Sequence, residues 1–540
     1  MVVRVASPAN GPRGTGQTLN KLFQQSSGGS ARLGDRTVVI GGGVGGLVAA
    51  AVLARAGVDV TLLEAQAYLG GCAGTFFRQR YRFDAGATVA SGFGPGGPMP
   101  ALARWLGVSF DAQLAEQVMS VHIPQRVSLV IPAAREQWRA DRRALFGPGA
   151  EKFWAWQERT AATVWALADR LPPWPASSAG DWLRCVGSAL SVAGARPSTL
   201  VRPGIVLDAH RPLAVHLPTD ARDLRQFVDG LLLISAQATS ARALALYGAA
   251  ALDFPWRGVA HLRGGMGGLA ETLAEAIRLH GGRIAIRRRA RRIVREAGRV
   301  CAVETETGER FEATQVIANL TPWNIAPLLD PREGPLPEPL AELRSPDLDI
   351  DAGWGAFVLH CGVDESVVDP AAPLHHQVHL GGPMGDGNTA FISISPAWDR
   401  SRAPAGKRAV TITTHTRLGP WWELLARDRA AYAFHKASYQ DRLLAAAAVA
   451  VPGFRRALDV VFAGTPVTYE FYTGRTRGWV GGMPQTSLTD NFAPELGPGL
   501  TLVGDSVFPG QSTLAVALSS LRVATTLLDR MGLEVPEIAS

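Results

Sequence analysis

Residues Val38 to Ala65 read VVIGGGVGGLVAAAVLARAGVDVTLLEA. Val38-Val39-Ile40 predicts a short apolar strand, Gly41 to Gly46 a turn, and Leu47 to Ala56 a helix of small residues ended by Gly57. Val58 to Leu63 predicts a second strand. Together they form the opening half of a doubly wound sheet. Gly41, Gly43 and Gly46 fill the three positions of G-x-G-x-x-G. The first permits the tight turn, the second lets a pyrophosphate approach the backbone, and the third lets the helix pack on the strand. The helix start beside Val44 offers free N–H groups and a positive dipole end to phosphate. Glu64, followed by Ala65, ends the second strand where an acid binds ribose hydroxyls and disfavours a 2′-phosphate. This spacing predicts dinucleotide binding. By itself it does not choose between FAD and NAD.

Moving outward, Leu69-Gly70-Gly71-Cys72-Ala73-Gly74-Thr75 follows directly. It resembles the glycine doublet of FAD-dependent amine-oxidase-like and carotenoid-desaturase-like enzymes. Phe83-Asp84-Ala85-Gly86-Ala87 resembles their next segment. Many relatives place an arginine after the doublet. Here Cys72 stands there, so that contact does not carry over. At the far end, Leu502 to Gly510 runs from strand into loop before a helix over Ser512–Leu528, and resembles the family's second FAD motif. The resemblance assigns Gly504 and Asp505 to the ribityl and pyrophosphate region. It assigns Ser512, Thr513 and Leu514 to the helix end facing the flavin N1–O2 edge, where positive potential suits reduced flavin. Gly71, Cys72 and Thr75 are carried over from the doublet segment. Ala290 is carried over as a backbone adenine contact, with Ile293 its packing neighbour. The Gly264-Gly265-Met266 entry to a helix over Leu269–His280, and Val316 to Pro322, resemble further family segments.

Two stretches resemble carotenoid 3,4-desaturases and carotenoid isomerases: Asp229 to Gln237, and Tyr469 to Gln485. The resemblance implies FAD, a lipophilic carotenoid substrate and desaturation, at the 3,4-position of an acyclic and optionally hydroxylated end group. A cis–trans isomerase using reduced FAD and an FAD-dependent amine oxidase remain as alternatives. No catalytic side chain is named, because the redox chemistry belongs to the flavin and the protein supplies orientation and a dry site.

The chain has 540 residues, 47% hydrophobic and 19% charged, which suits more than one globular core. The expected fold is α/β, α+β overall: a discontinuous Rossmann-like FAD domain (35–115, 256–330 and 483–540) with an inserted substrate domain (116–255 and 331–482). Residues 1–34, rich in Gly, Ser and Pro, read as a disordered tail. Gly11 to Thr18 has P-loop spacing, but Gln17 occupies the lysine position and no strand precedes it. The net charge of +7 is spread thinly, and no nucleic-acid motif accompanies it. The run Arg287 to Arg295 reads as a solvated edge with inward positions between. Cys72, Cys185, Cys301 and Cys361 form no C-x-x-C pair, so no metal site is expected and a reducing cytoplasm suits them.

No apolar run is long enough to span a bilayer. The expectation is a cytoplasmic protein touching the inner face of the cell membrane. Trp154 and Trp156 read as core or tunnel wall, with membrane anchoring as the alternative. His375, His376 and His379 read as a surface strand rather than a metal site.

Overall fold

The computed structural model describes residues 36–124, 128–176, 178–195, 203–341, 352–489 and 491–536. The expected tail, with its P-loop-like spacing, lies outside them.

Arg36–Ile40 sits inside a six-stranded sheet. Across that sheet run Glu495–Gly497, Leu500–Leu502, Gln315–Ala318, Arg36–Ile40, Asp59–Glu64 and Arg283–Ile286. Every neighbouring pair is parallel except at the Glu495–Gly497 edge. Helix Val44–Arg55 packs against helices Met266–Leu279 and Thr513–Met531, and all but its last residue are buried. Small residues permit this. A Cβ added at Gly46 would sit 2.1 Å from the Gly41 carbonyl oxygen. The opposite face of the sheet is covered by a three-stranded antiparallel sheet (Ala290–Glu296, Arg299–Thr305, Arg310–Glu312) rather than by crossover helices. Val38, Ile40 and Val316 bury there against Ile293, Val300 and Val303.

The second large sheet has seven strands: Leu458–Gly464, Gly355–Asp364, Lys407–Thr416, Thr389–Ile394, His375–His379, Gln117–His122 and Leu129–Pro132. One parallel pair joins His375–His379 to Gln117–His122, and the other pairs are antiparallel. Period-two alternation gives this sheet two unlike faces. Phe357, Leu359, Cys361 and Ile412 form an apolar core under helix Arg429–Ala450. The other face carries Gln377, Thr413 and His415 and turns towards helix Arg222–Ala236.

This placement corrects the histidine reading. His375, His376 and His379 are only 2%, 3% and 5% exposed, because their strand is internal and both its faces are covered. Their alternation is as expected. His375 bonds Ser393 Oγ at 2.9 Å, and His376 on the other face meets His122 at 3.2 Å. Burial lowers the pKa of His376 and of His379 to about 4. Among the described residues no cluster of metal-ligating groups forms.

For Trp154 the core reading holds. Trp154 is 1% exposed and packs edge-on to Trp138. Trp156 is half-buried and donates to Asp208 Oδ2 at 2.8 Å. In the arginine run, Arg288, Arg289 and Arg291 pair with Glu309, Glu306 and Glu304. Arg295 departs from the solvated pattern: it is buried and donates to the carbonyls of Asp330, Gly334 and Pro335. Among the described residues no helix is long and apolar enough to cross a membrane.

Candidate active site

One continuous cavity of about 740 Å³ lies between the two large sheets. Its first half is built from backbone. Gly41 takes the left-handed conformation (φ 97°), which turns the chain from strand into helix. Gly70 N–H donates to the Gly42 carbonyl, so the glycine doublet lies against the first turn. Gly504 closes the third side, its Cα 3.2 Å from a Cβ added at Gly45. The Glu64 carboxylate is fixed by N–H donors from Gly42 and Gln66, both at 2.7 Å. Burial raises its pKa, against those hydrogen bonds. Each oxygen keeps a lone pair for a hydroxyl donor. Ser512 caps helix Thr513–Met531 by accepting from Ala515 N–H, with φ 98°. That leaves the positive end of the helix at the cavity.

Most of the expected site residues border this space: Gly41, Gly43, Val44, Glu64, Ala65, Gly71, Cys72, Ala290, Gly504, Asp505, Ser512 and Thr513. Gly46 lies behind it, packing helix on strand. Thr75 does not border it. Its hydroxyl donates to Asp84 Oδ1 and accepts from Gly267 N–H, tying the doublet hairpin to helix Met266–Leu279. Leu514 also turns away, into an apolar cluster with Trp165 and Phe508.

The second half of the cavity is lined by side chains that had no assigned role. Leu231, Ile234, Phe254 and Phe391 make its apolar wall. Among them stand Gln237, Gln377 and Gln511, at 3%, 3% and 8% exposed. Gln237 Oε1, Gln377 Oε1 and Gln511 Nε2 have no hydrogen-bond partner. Gln237 Nε2 donates to the Val480 carbonyl at 2.5 Å. His415 also lines the cavity, and burial lowers its pKa to about 4. Gln237 falls inside a stretch singled out by resemblance, but its orientation depends on a left-handed helix end (φ 53°) invisible in the sequence. Gln377 carries no local signal at all.

Arg475 is a further residue without an earlier role. Its Nη2 donates to Asp505 Oδ2 at 2.6 Å and to the Gly481 carbonyl at 2.8 Å. Burial opposes its charge, but Asp505 and Cys72 together more than offset it, and the pKa is raised.

Residues 44–524 match the family model described as flavin-containing amine oxidoreductase. The chain belongs to this family. FAD is the cofactor of this oxidoreductase, and the glycine turn, the fixed Glu64 and the free helix end fit it. Over 529 residues the chain is 26% identical to the chloroplastic prolycopene isomerase of Daucus carota, covering 92% of this chain and 80% of that protein. It is 28% identical over 498 residues to a phytoene dehydrogenase of Streptomyces griseus, covering 86% and 87%. A stretch of 53 residues is 51% identical to a carotenoid 3,4-desaturase of Haloarcula japonica, covering 10% and 11%. These relatives bear out the resemblance to carotenoid desaturases and isomerases. The fold is also that of a solved oxidoreductase of Methanosarcina mazei (TM-score 0.59, 18% identity, 90% of this chain and 99% of that one).

Proposed function

We propose that the chain is an FAD-dependent carotenoid desaturase acting at the 3,4-bond of an acyclic, hydroxylated end group. The observation that carries this reading is the pair of unpartnered acceptors, Gln237 Oε1 and Gln377 Oε1, among the apolar side chains Leu231, Ile234, Phe254 and Phe391. The apolar wall suits a polyene. Gln237 Nε2 is committed to Val480, and its Oε1 is a buried acceptor without a donor. A hydroxyl supplies one, and a plain hydrocarbon does not. An ammonium would also donate, but the carboxylates lining the cavity among the described residues are already engaged: Glu64 by backbone N–H groups, Glu306 by Arg289 and Asp505 by Arg475. That weighs against the amine-oxidase alternative.

Bound FAD supplies the hydride acceptor. In this reading Gly41, Gly43 and Val44 cradle its diphosphate, and Glu64 and Ala65 take the adenosine ribose. Ala290 meets adenine through its backbone. Gly71, Cys72, Gly504 and Asp505 flank the middle of the cofactor, and Ser512 and Thr513 face the flavin. Residues 35–115, 256–330 and 483–540 form the cofactor domain, and 116–255 with 331–482 the substrate domain. The chain orients the end group with its two amides and excludes water with Leu231, Ile234 and Phe391. A lipophilic substrate favours work at a membrane surface, on the cytoplasmic face.

A second reading, a carotenoid cis–trans isomerase, is favoured by the near full-length match to prolycopene isomerase. Expression in bacteria that accumulate a hydroxylated acyclic carotenoid, its hydrocarbon parent or a poly-cis lycopene tests both. Loss of two hydrogens by mass supports the desaturase. A shifted absorption spectrum at unchanged mass supports the isomerase. No change in any carotenoid refutes both.

A further inference from the structure

Bound FAD brings a diphosphate with two negative charges to the point where three glycine segments meet. Helix Val44–Arg55 has no lysine or arginine in its first turn, and its N-terminus supplies only partial charge. Cavity-lining cations among the described residues are Arg288, Arg289, Arg291 and Arg475. The first three belong to the hairpin side near Glu64 and stand beside Glu309, Glu306 and Glu304, as Arg475 stands beside Asp505. Arg475 lies between the doublet segment and the C-terminal loop, with the Arg289 guanidinium close to the preceding Gly474.

Its placement is built by the chain. Helix Pro466–Thr473 ends at Gly474 in the left-handed conformation (φ 68°), which turns the next residue inward. Asp505 and the Gly481 carbonyl occupy Nη2. The remaining groups are uncommitted. Nη1 has only the Cys72 thiol at 3.8 Å, a weak acceptor, and Nε is buried without a partner. A half-buried guanidinium with spare donors beside the glycine turn suits an anionic partner.

We propose that Arg475 is a cofactor-binding residue that engages the FAD diphosphate, and that it supplies from the C-terminal half the positive charge that Cys72 cannot. Asp505 then acts as the clamp that orients Arg475 rather than as a direct ligand of the phosphates. The proximity of Cys72 Sγ to the guanidinium also explains why a second arginine is not needed at position 72: two cations this close would repel.

The test is FAD affinity, measured by titrating deflavinated protein and by flavin absorbance per purified chain. Arg475→Gln should raise the Kd for FAD on the order of 10- to 100-fold, the range for a lost charged hydrogen bond. It should raise the Kd for ADP, which carries the diphosphate without a flavin, by a similar factor. Arg475→Lys should recover part of the loss. The double variant Cys72→Arg/Arg475→Gln should recover more, because it returns a guanidinium to the same gap from the opposite side. Circular dichroism of each apoprotein controls for folding. Unchanged FAD affinity in a folded Arg475→Gln protein overturns the proposal. So does a loss confined to FAD with ADP unaffected, which would move the contact to the flavin. A double variant with no recovery overturns the claim that charge at this position is what matters.

Discussion

The six-stranded and seven-stranded sheets border the same cavity but build their walls from different parts of the chain. The first presents glycines, backbone N–H groups and a helix end. The second presents side chains: the Gln377 amide, threonines, a histidine and Phe391. A wall of backbone is intolerant, because an added Cβ has nowhere to go. A wall of side chains is adjustable, because each residue can change without moving the strand.

The sharpest way to break that contrast is at Gly46. Its added Cβ would meet the Gly41 carbonyl at 2.1 Å, a backbone atom that cannot rotate away. Gly46→Val should therefore abolish FAD incorporation, read as loss of flavin absorbance per chain. A yellow, stoichiometric Gly46→Val protein would show that the cradle is more pliant than its geometry. On the side-chain wall, Gln377→Leu should leave FAD content unchanged. If the substrate is hydroxylated, it should lower kcat/KM for that substrate on the order of tenfold, as expected for one lost hydrogen bond of ~1–2 kcal/mol. Turnover of the hydrocarbon parent should hold or rise. Equal losses on both substrates would remove the amide from substrate recognition.

The same contrast explains what was legible in the sequence. The Val38–Glu64 unit is local: strand, turn, helix and acid follow one another, and each glycine answers a constraint from its own neighbours. Helix boundaries came close for the same reason, with Ser512–Leu528 expected and Thr513–Met531 found. The substrate wall is not local. Gln377, Phe391 and His415 share one face only because three strands pair in register. The histidine strand shows the limit most clearly. Alternation told that adjacent histidines face opposite ways, but not that partners cover both sides. Arg475 was hidden in another way. Its meaning depends on Cys72 and Asp505, which only the assembled fold brings beside it.

A smaller effect follows from the histidines that line the polar face of the second sheet. His360 is 6% exposed, edge-on to Phe76, with Nδ1 unpartnered. Burial lowers its pKa from the ordinary value to about 3. The unfolded chain thus takes up a proton near pH 6.5 while the folded chain resists until about 3. This group's contribution to stability is present above pH 6.5 and is lost as pH falls towards 3. His379 and His415 act in the same direction down to about 4. Denaturant midpoints should fall from pH 7 to pH 4, and His360→Leu should flatten that slope by up to about 1.4 kcal/mol per pH unit, one proton's share. An unchanged slope would mean that the ring already gains its proton in the native state.

The smallest effect on the fold, with the clearest effect on location, is expected outside both walls. Helix Ala179–Ala195 exposes Leu183 at 74%, Leu190 at 66% and Trp182 at 55%, whereas Trp154 is buried. On its inner side Val192 lines a second cavity of about 710 Å³. Pro255 and Val259 border both that cavity and the one between the two large sheets. The helix therefore stands between solvent and the apolar interior, and if the proposed polyene is taken from a lipid surface, this helix is the place to test for the contact. Leu183→Ser with Leu190→Ser should shift stability by no more than ~0.5 kcal/mol, because both side chains already face water. It should abolish co-flotation with liposomes. Trp156→Ser, at a half-buried position bonded to Asp208, should not affect flotation in any protein that still folds. If the leucine pair floats as before and Trp156→Ser does not, the lipid-facing side of the molecule lies with the tryptophans after all.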